Sequence, residues 1–188
     1  MRMRMQLARP VLAMALAASL VIQGCSFGSV MNGIAKWLPV GEQAFSEIIA
    51  ILAAAGVVGV NVQNQATGAV AVVNRDFADI QNAIAQYNAA PSTDKATTLQ
   101  KVVTAMNVLE TDLNTFLADA RVLDQKDQNV ITLAVGALTT TLAALEAQIS
   151  PSPSISTKAV NAPRTPAAFK VAFNTIMVQN GYPQYQVH

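Results

Sequence analysis

The chain has 188 residues, with 12 Lys+Arg against 11 Asp+Glu and a single histidine. Hydrophobic residues make up 52% and aromatic residues only 5%, so the apolar content is largely alanine and aliphatic. That composition fits helices packed through small side chains and argues against a β-sandwich. The near-zero charge argues against a phosphate-backbone binder.

The first residues read as a targeting segment. Arg2, Arg4 and Arg9 form a basic start, and Val11 to Ile22 is an apolar run of signal-peptide rather than membrane-span length. It ends in Val21-Ile22-Gln23-Gly24-Cys25, which holds the only cysteine of the chain. This pattern resembles the lipobox of bacterial lipoproteins, and the alternative is an ordinary cleaved signal cut near Ala15-Leu16-Ala17. The resemblance implies a signal peptide over 1–24, a diacylglycerol on the Cys25 sulfur and a membrane anchored through it. Ser26 after the cysteine implies outer-membrane sorting, with the body facing the periplasm. Each buried acyl methylene contributes about 0.8 kcal/mol, so several chains hold a protein without a spanning helix. Three arginines and no acids precede Cys25; nine basic against eleven acidic side chains remain, a net of −2. With no cysteine after position 25, no intrachain disulfide staples the body. Its roughly 160 residues suffice for one hydrophobic core.

Residues 25–41 contain Gly28, Gly33, Pro39 and Gly41 and read as a lipid-anchored tether, helical at most around Met31 to Leu38. Trp37 reads there as a satellite contact or as a membrane-interface residue. A helical bundle is expected over 42–149. Phe45, Ile48, Ile49 and Leu52 share one face of its first helix. The run from Ile48 to Val60 is apolar almost all round, which suits a buried helix or a segment that enters lipid. Val70, Val73, Phe77, Ile80, Ile84 and Tyr87 mark a second helix, starting between Val62 and Gly68 and ending near Asn88. Arg75 and Asp79 lie four apart and read as an exposed pair.

Pro91 stops that helix, and Ser92 or Thr93 is placed to cap the next. Leu99, Val102, Met106, Leu109, Leu113, Phe116, Ala120 and Leu123 then keep an unbroken three–four spacing. Asp124 is placed to cap a further helix with Ile131, Val135, Leu138, Leu142, Leu145 and Ile149 on its stripe. Gly136 inside it suggests a close helix crossing. The fold class is therefore all-α, an antiparallel bundle of about four helices with shallow crossings near about 20°. The same stripes would also serve a homo-oligomeric coiled coil.

Residues 150–165 are rich in Pro and Ser and read as a linker. Residues 166–188 form a C-terminal helix and tail: Thr165 caps, Pro166 opens, and Gly181 with Pro183 closes. Its apolar face of Phe169, Phe173, Ile176 and Met177 packs on the bundle or docks on a partner protein. The tail from Tyr182 to His188 is expected to be mobile.

No catalytic, metal or cofactor set emerges. The only histidine is the terminal His188, which leaves no Ser-His or Cys-His pair and no histidine-based metal site. Asp124-Gln125-Lys126-Asp127 lacks the glycine and the twelfth-position glutamate of an EF-hand. Gly56-Val57-Val58-Gly59 lacks the lysine of a phosphate loop. Asp76/Asp79 and Glu110/Asp112 read as solvated helix charges. The expectation is a non-enzymatic envelope lipoprotein that contacts another envelope protein, without cofactor or nucleic acid. A carrier of apolar ligands, with Ala134, Gly136 and Ala137 leaving a cavity, is the second reading. A membrane-active protein using 48–62 is the third.

Overall fold

In the computed structural model, the described residues are 8–56, 60–120, 122–150 and 162–188, with side chains described from Phe27 onward except at 60–66. Five α-helices appear among them: α1 (Ala8–Ala55), α2 (Val60–Ala89), α3 (Lys95–Asp119), α4 (Gln125–Glu146) and α5 (Pro166–Gln179). A single 3-10 turn, Ser92–Asp94, joins α2 to α3. The helices pack on one another in a closed order: α1 on α2, α2 on α3, α3 on α4 and α4 back on α1. The fifth helix lies against α4 and α1. The chain is thus an all-α helical bundle with an extra C-terminal helix.

The second and third helices run antiparallel. Asp76 faces Asp112, and ten residues further along α2 Gln86 accepts a hydrogen bond from Lys101, at 3.0 Å. The expected stripes are buried: Val73, Phe77, Ile80, Ile84 and Tyr87 on α2, and Val102, Met106, Leu109, Leu113 and Phe116 on α3. On α4, Ile131, Val135, Leu138, Leu142 and Leu145 are buried, followed by Ile149 just past its end. Asp124 caps α4, its carboxylate accepting from the backbone N–H groups of Lys126 and Asp127. Thr165 caps α5 with Pro166 at the first helical turn. The end of α5 is a Schellman motif: Gly181 takes φ +83°, its N–H reaches the Val178 carbonyl, and the Tyr182 N–H reaches that of Met177.

The largest departure from the sequence reading is at 25–41, expected to be a tether. From Phe27 on these residues are an integral part of α1. Met31, Ile34, Trp37 and Leu38 are fully buried, and Trp37 is a core residue rather than a satellite or interfacial one. Its ring packs edge-on to Phe169 with centroids 5.7 Å apart, and 6.4 Å from Phe77. Phe45 lies 5.0 Å from Phe116 on the far side of the bundle. Pro39 sits inside the helix. An interior proline costs about 3 kcal/mol, which burial of two large aliphatic side chains at about 1.5–3 kcal/mol each offsets.

Smaller departures have local causes. Neither Ser92 nor Thr93 caps α3, which starts behind Asp94 without a side-chain cap. Leu123 is 83% exposed because α3 stops at Asp119, so the helical spacing no longer dictates its direction. Gly136 has open space where a Cβ would stand, so no close crossing demands it. Ile48, Ile51 and Leu52 are core residues, which commits the first part of the apolar run 48–62 to the bundle. The greater part of the linker 150–165 lies outside the described residues, as do the first residues of the signal segment.

The tail is ordered by specific contacts. Asn174 of α5 pairs with the backbone of Val187 on both sides, donating to its carbonyl at 3.0 Å and accepting from its N–H at 2.9 Å. Val187 is buried, Lys170 donates to the His188 carbonyl, and the Tyr182 hydroxyl donates to Asp127 of α4. Lys126 stands 4.9 Å over the Tyr182 ring.

Candidate functional site

Two surface features follow from the way the helices pair. The first is a groove of about 600 Å³ between the outer faces of α2 and α3. The small side chains of Ala83 and Ala105 are part of its lining and leave room between the longer polar ones. Its walls are amides and hydroxyls, among them Asn82, Gln86, Gln100 and Thr104. Lys101 bridges them by its bond to Gln86.

One end of this groove holds Asp76, which reads in the sequence as solvated and is only 2% exposed. Its position explains the burial. Asp76 lies three residues after Val73 and four before Ile80, so it falls on the seam of α2. Asp112 lies three after Leu109 and four before Phe116 on α3 and occupies the matching place. Arg75 approaches one Asp76 oxygen at 3.6 Å, not Asp79 as its spacing suggested, and its own side chain is 64% exposed. The other oxygen, Oδ2, is out of contact with solvent and accepts no hydrogen bond. Burial first, then the Asp112 carboxyl, push Asp76 up to about 6, against the opposing pull of Arg75. Asp76 therefore holds its proton to higher pH than a solvated aspartate does. Glu110, on the same helix as Asp112, is also raised, by burial and by the charge of Glu146 on α4. Glu146 in turn accepts from the Asn107 amide at 3.0 Å, tying α3 to α4.

The second feature is a groove of about 550 Å³ between α5 and the C-terminal tail. Val171 and Val178 stand on its rim, 67% and 52% exposed. The apolar face expected to pack on the bundle or to dock on a partner is not part of it. Phe169, Phe173 and Met177 are fully buried against α1 and α4, and Ile176 is half-buried on the same core. The sequence located the apolar face correctly, but the chain itself covers it.

The remaining sequence candidate, Cys25, falls within the backbone of α1, and its side chain lies outside the described residues. The single histidine, His188, lines the α5 groove and not the α2–α3 groove. Among the described residues, no three His, Cys, Asp or Glu side chains are gathered so as to hold a metal ion. Two helical stretches, Phe27–Ala55 and Gln125–Glu146, are long and apolar enough to cross a membrane by length and composition. Half of the α4 stretch is buried in the bundle, as a core helix requires. No family model, no curated protein and no solved structure matches the chain.

Proposed function

We propose that the protein is a bacterial lipoprotein, held on the outer membrane through acylated Cys25, whose helical body is a non-enzymatic interaction module in the periplasm. The observation that carries the reading is Val21-Ile22-Gln23-Gly24-Cys25 at the end of a basic-then-apolar leader, with no other cysteine in the chain. The body supports it in two respects. Most of its large aromatic and aliphatic side chains are buried in the core, and the α2–α3 groove is lined mainly by polar side chains, with Val108 as an exposed exception. The burial of Ile48, Ile51 and Leu52 leaves a membrane-breaching role with less apolar surface to use.

The test is metabolic labelling with a fatty acid, followed by fractionation. The wild-type chain takes up label and sediments with membranes, whereas Cys25→Ser takes up none and runs as a larger, uncleaved precursor. An unlabelled wild-type chain rejects the anchor. Crosslinking in intact envelopes then tests the interaction role: a specific partner lost on charge reversal along Asn82, Gln86 and Gln100 supports it, and recovery of none counts against it.

A further inference from the structure

The structure leaves almost no spacer between the proposed anchor and the folded body. Helix α1 is continuous from Ala8 to Ala55, passing through position 25. Phe27 and Val30 already pack on the core, and Met31 is fully buried. At about 1.5 Å of rise per residue, Met31 stands about 9 Å from Cys25 along the axis, and Phe27 about 3 Å.

The register between helices shows what else lies at that level. A Cβ at Gly41 of α1 would stand 3.2 Å from the Phe77 ring, so these two residues of α1 and α2 are level. Helix α2 begins soon after α1 ends and packs back along it, so α2 descends toward the start of α1. Fourteen residues beyond Phe77 is Pro91, and fourteen before Gly41 is Phe27. The turn from Pro91 to Asp94 is therefore level with Phe27. All four of its residues are exposed, and none is apolar apart from the proline. Lys95 behind it is held by the Tyr87 carbonyl and ring. At the other end of α3, about 37 Å away at 1.5 Å per residue, stands exposed Leu123.

We infer that the bundle stands upright on a phospholipid bilayer, with the α2–α3 turn against the headgroups and the α3–α4 turn pointing away. This rests on the anchor proposed above. A flexible tether would let the body tumble, but a helix that enters the core within two residues of the acylated position does not. The turn is polar and its one charge, Asp94, is acidic, so the short link to the anchor and not headgroup attraction sets the orientation.

The test uses the full acylated chain, purified and placed in vesicles of phosphatidylethanolamine and phosphatidylglycerol. Cys25 is then blocked by its lipid, so Ser92→Cys, Leu123→Cys and Val178→Cys each offer one free thiol for a fluorophore. A headgroup spin-labelled phospholipid quenches only nearby probes. Strong loss of fluorescence at Ser92 with none at Leu123 or Val178 is the expected result. Equal quenching at Ser92 and Leu123 means a tumbling body, and quenching at Val178 alone means a bundle lying on α5; either overturns the inference. Mass spectrometry of the same preparations reports the acyl chains. An unacylated chain therefore counts against the anchor, and an acylated chain with an unquenched Ser92 counts against the orientation alone.

Discussion

Asp76 and Asp112 meet across the seam of α2 and α3, two carboxyls with only one exposed arginine to compensate them. Because the folded Asp76 value is raised to about 6 from 3.8, the folded state holds its proton more tightly than the unfolded chain does. The contribution to stability is thus complete below the unfolded value and is lost as pH rises through about 6. Since one unit corresponds to about 1.4 kcal/mol, the loss amounts to at most about 3 kcal/mol. Asp76→Asn removes this share of the pH dependence and leaves that of Glu110. Urea midpoints at pH 7.5 are expected to be higher for the variant than for wild type, with the gap closing by pH 4. A variant less stable at pH 7.5 would mean the charged carboxylate has a favourable partner, and the burial penalty on it would be wrong.

Two glycines inside helices make opposite predictions. Gly136 on α4 has nothing within 4 Å of where an added methyl would stand, so Gly136→Ala gains helix propensity alone, about 1 kcal/mol. Gly41 on α1 would place the same methyl 2.9 Å from Trp37 Cη2 and 3.2 Å from Phe77 Cε1. Phe77 and Phe169 both pack on the Trp37 ring, with centroids 6.4 and 5.7 Å away, which restricts its room to yield. Overpacking of this kind costs about 1–3 kcal/mol, and Gly41→Ala is expected to be destabilising despite the propensity gain. Thermal melts of the two variants decide it; a Gly41→Ala protein as stable as wild type would dispute the Trp37 position.

Those glycines also show what can be read in advance. The stripes of α3 and α4 are evident because nothing interrupts their three–four spacing, and a run that regular has one way to bury its face. In α1 the same spacing runs through Met31, Ile34, Leu38, Gly41, Phe45, Ile48 and Leu52. Pro39 and Gly41 mask it, since both residue types usually end helices, and here tertiary burial overrides them. Asp76 is hidden for a different reason. Its type suggests solvent, while its phase puts it on the seam, and phase prevails. The ordered tail rests on Asn174 pairing with the Val187 backbone, a contact without any periodic signature.

That pairing is testable on its own. Each of the two hydrogen bonds contributes about 1 kcal/mol, so Asn174→Ala weakens the docking of the last residues, with Val187 at the edge of the core, by about 2 kcal/mol and leaves the helix-to-helix packing in place. Carboxypeptidase should release Val187 and His188 markedly faster from the variant than from wild type, at an unchanged overall melting temperature. Equal release rates would mean the tail is already free.

The sharpest question for function is whether α5 belongs to this chain's core or to a partner. Phe169 is fully buried and stacks edge-on against Trp37, the only tryptophan. Truncating a buried phenylalanine costs about 3–5 kcal/mol, and Phe169→Ala also removes a ring that packs on the indole. The variant is expected to melt lower, with Trp37 emission shifted to the red and open to acrylamide quenching under native conditions. If α5 instead docks on another protein, Phe169→Ala leaves both the stability and the emission of the isolated chain as they were. The substitution then weakens crosslinking to that partner. A fluorescence titration in urea of the two purified chains separates these outcomes, because the indole reports on the contact directly and the midpoint reports on its energy.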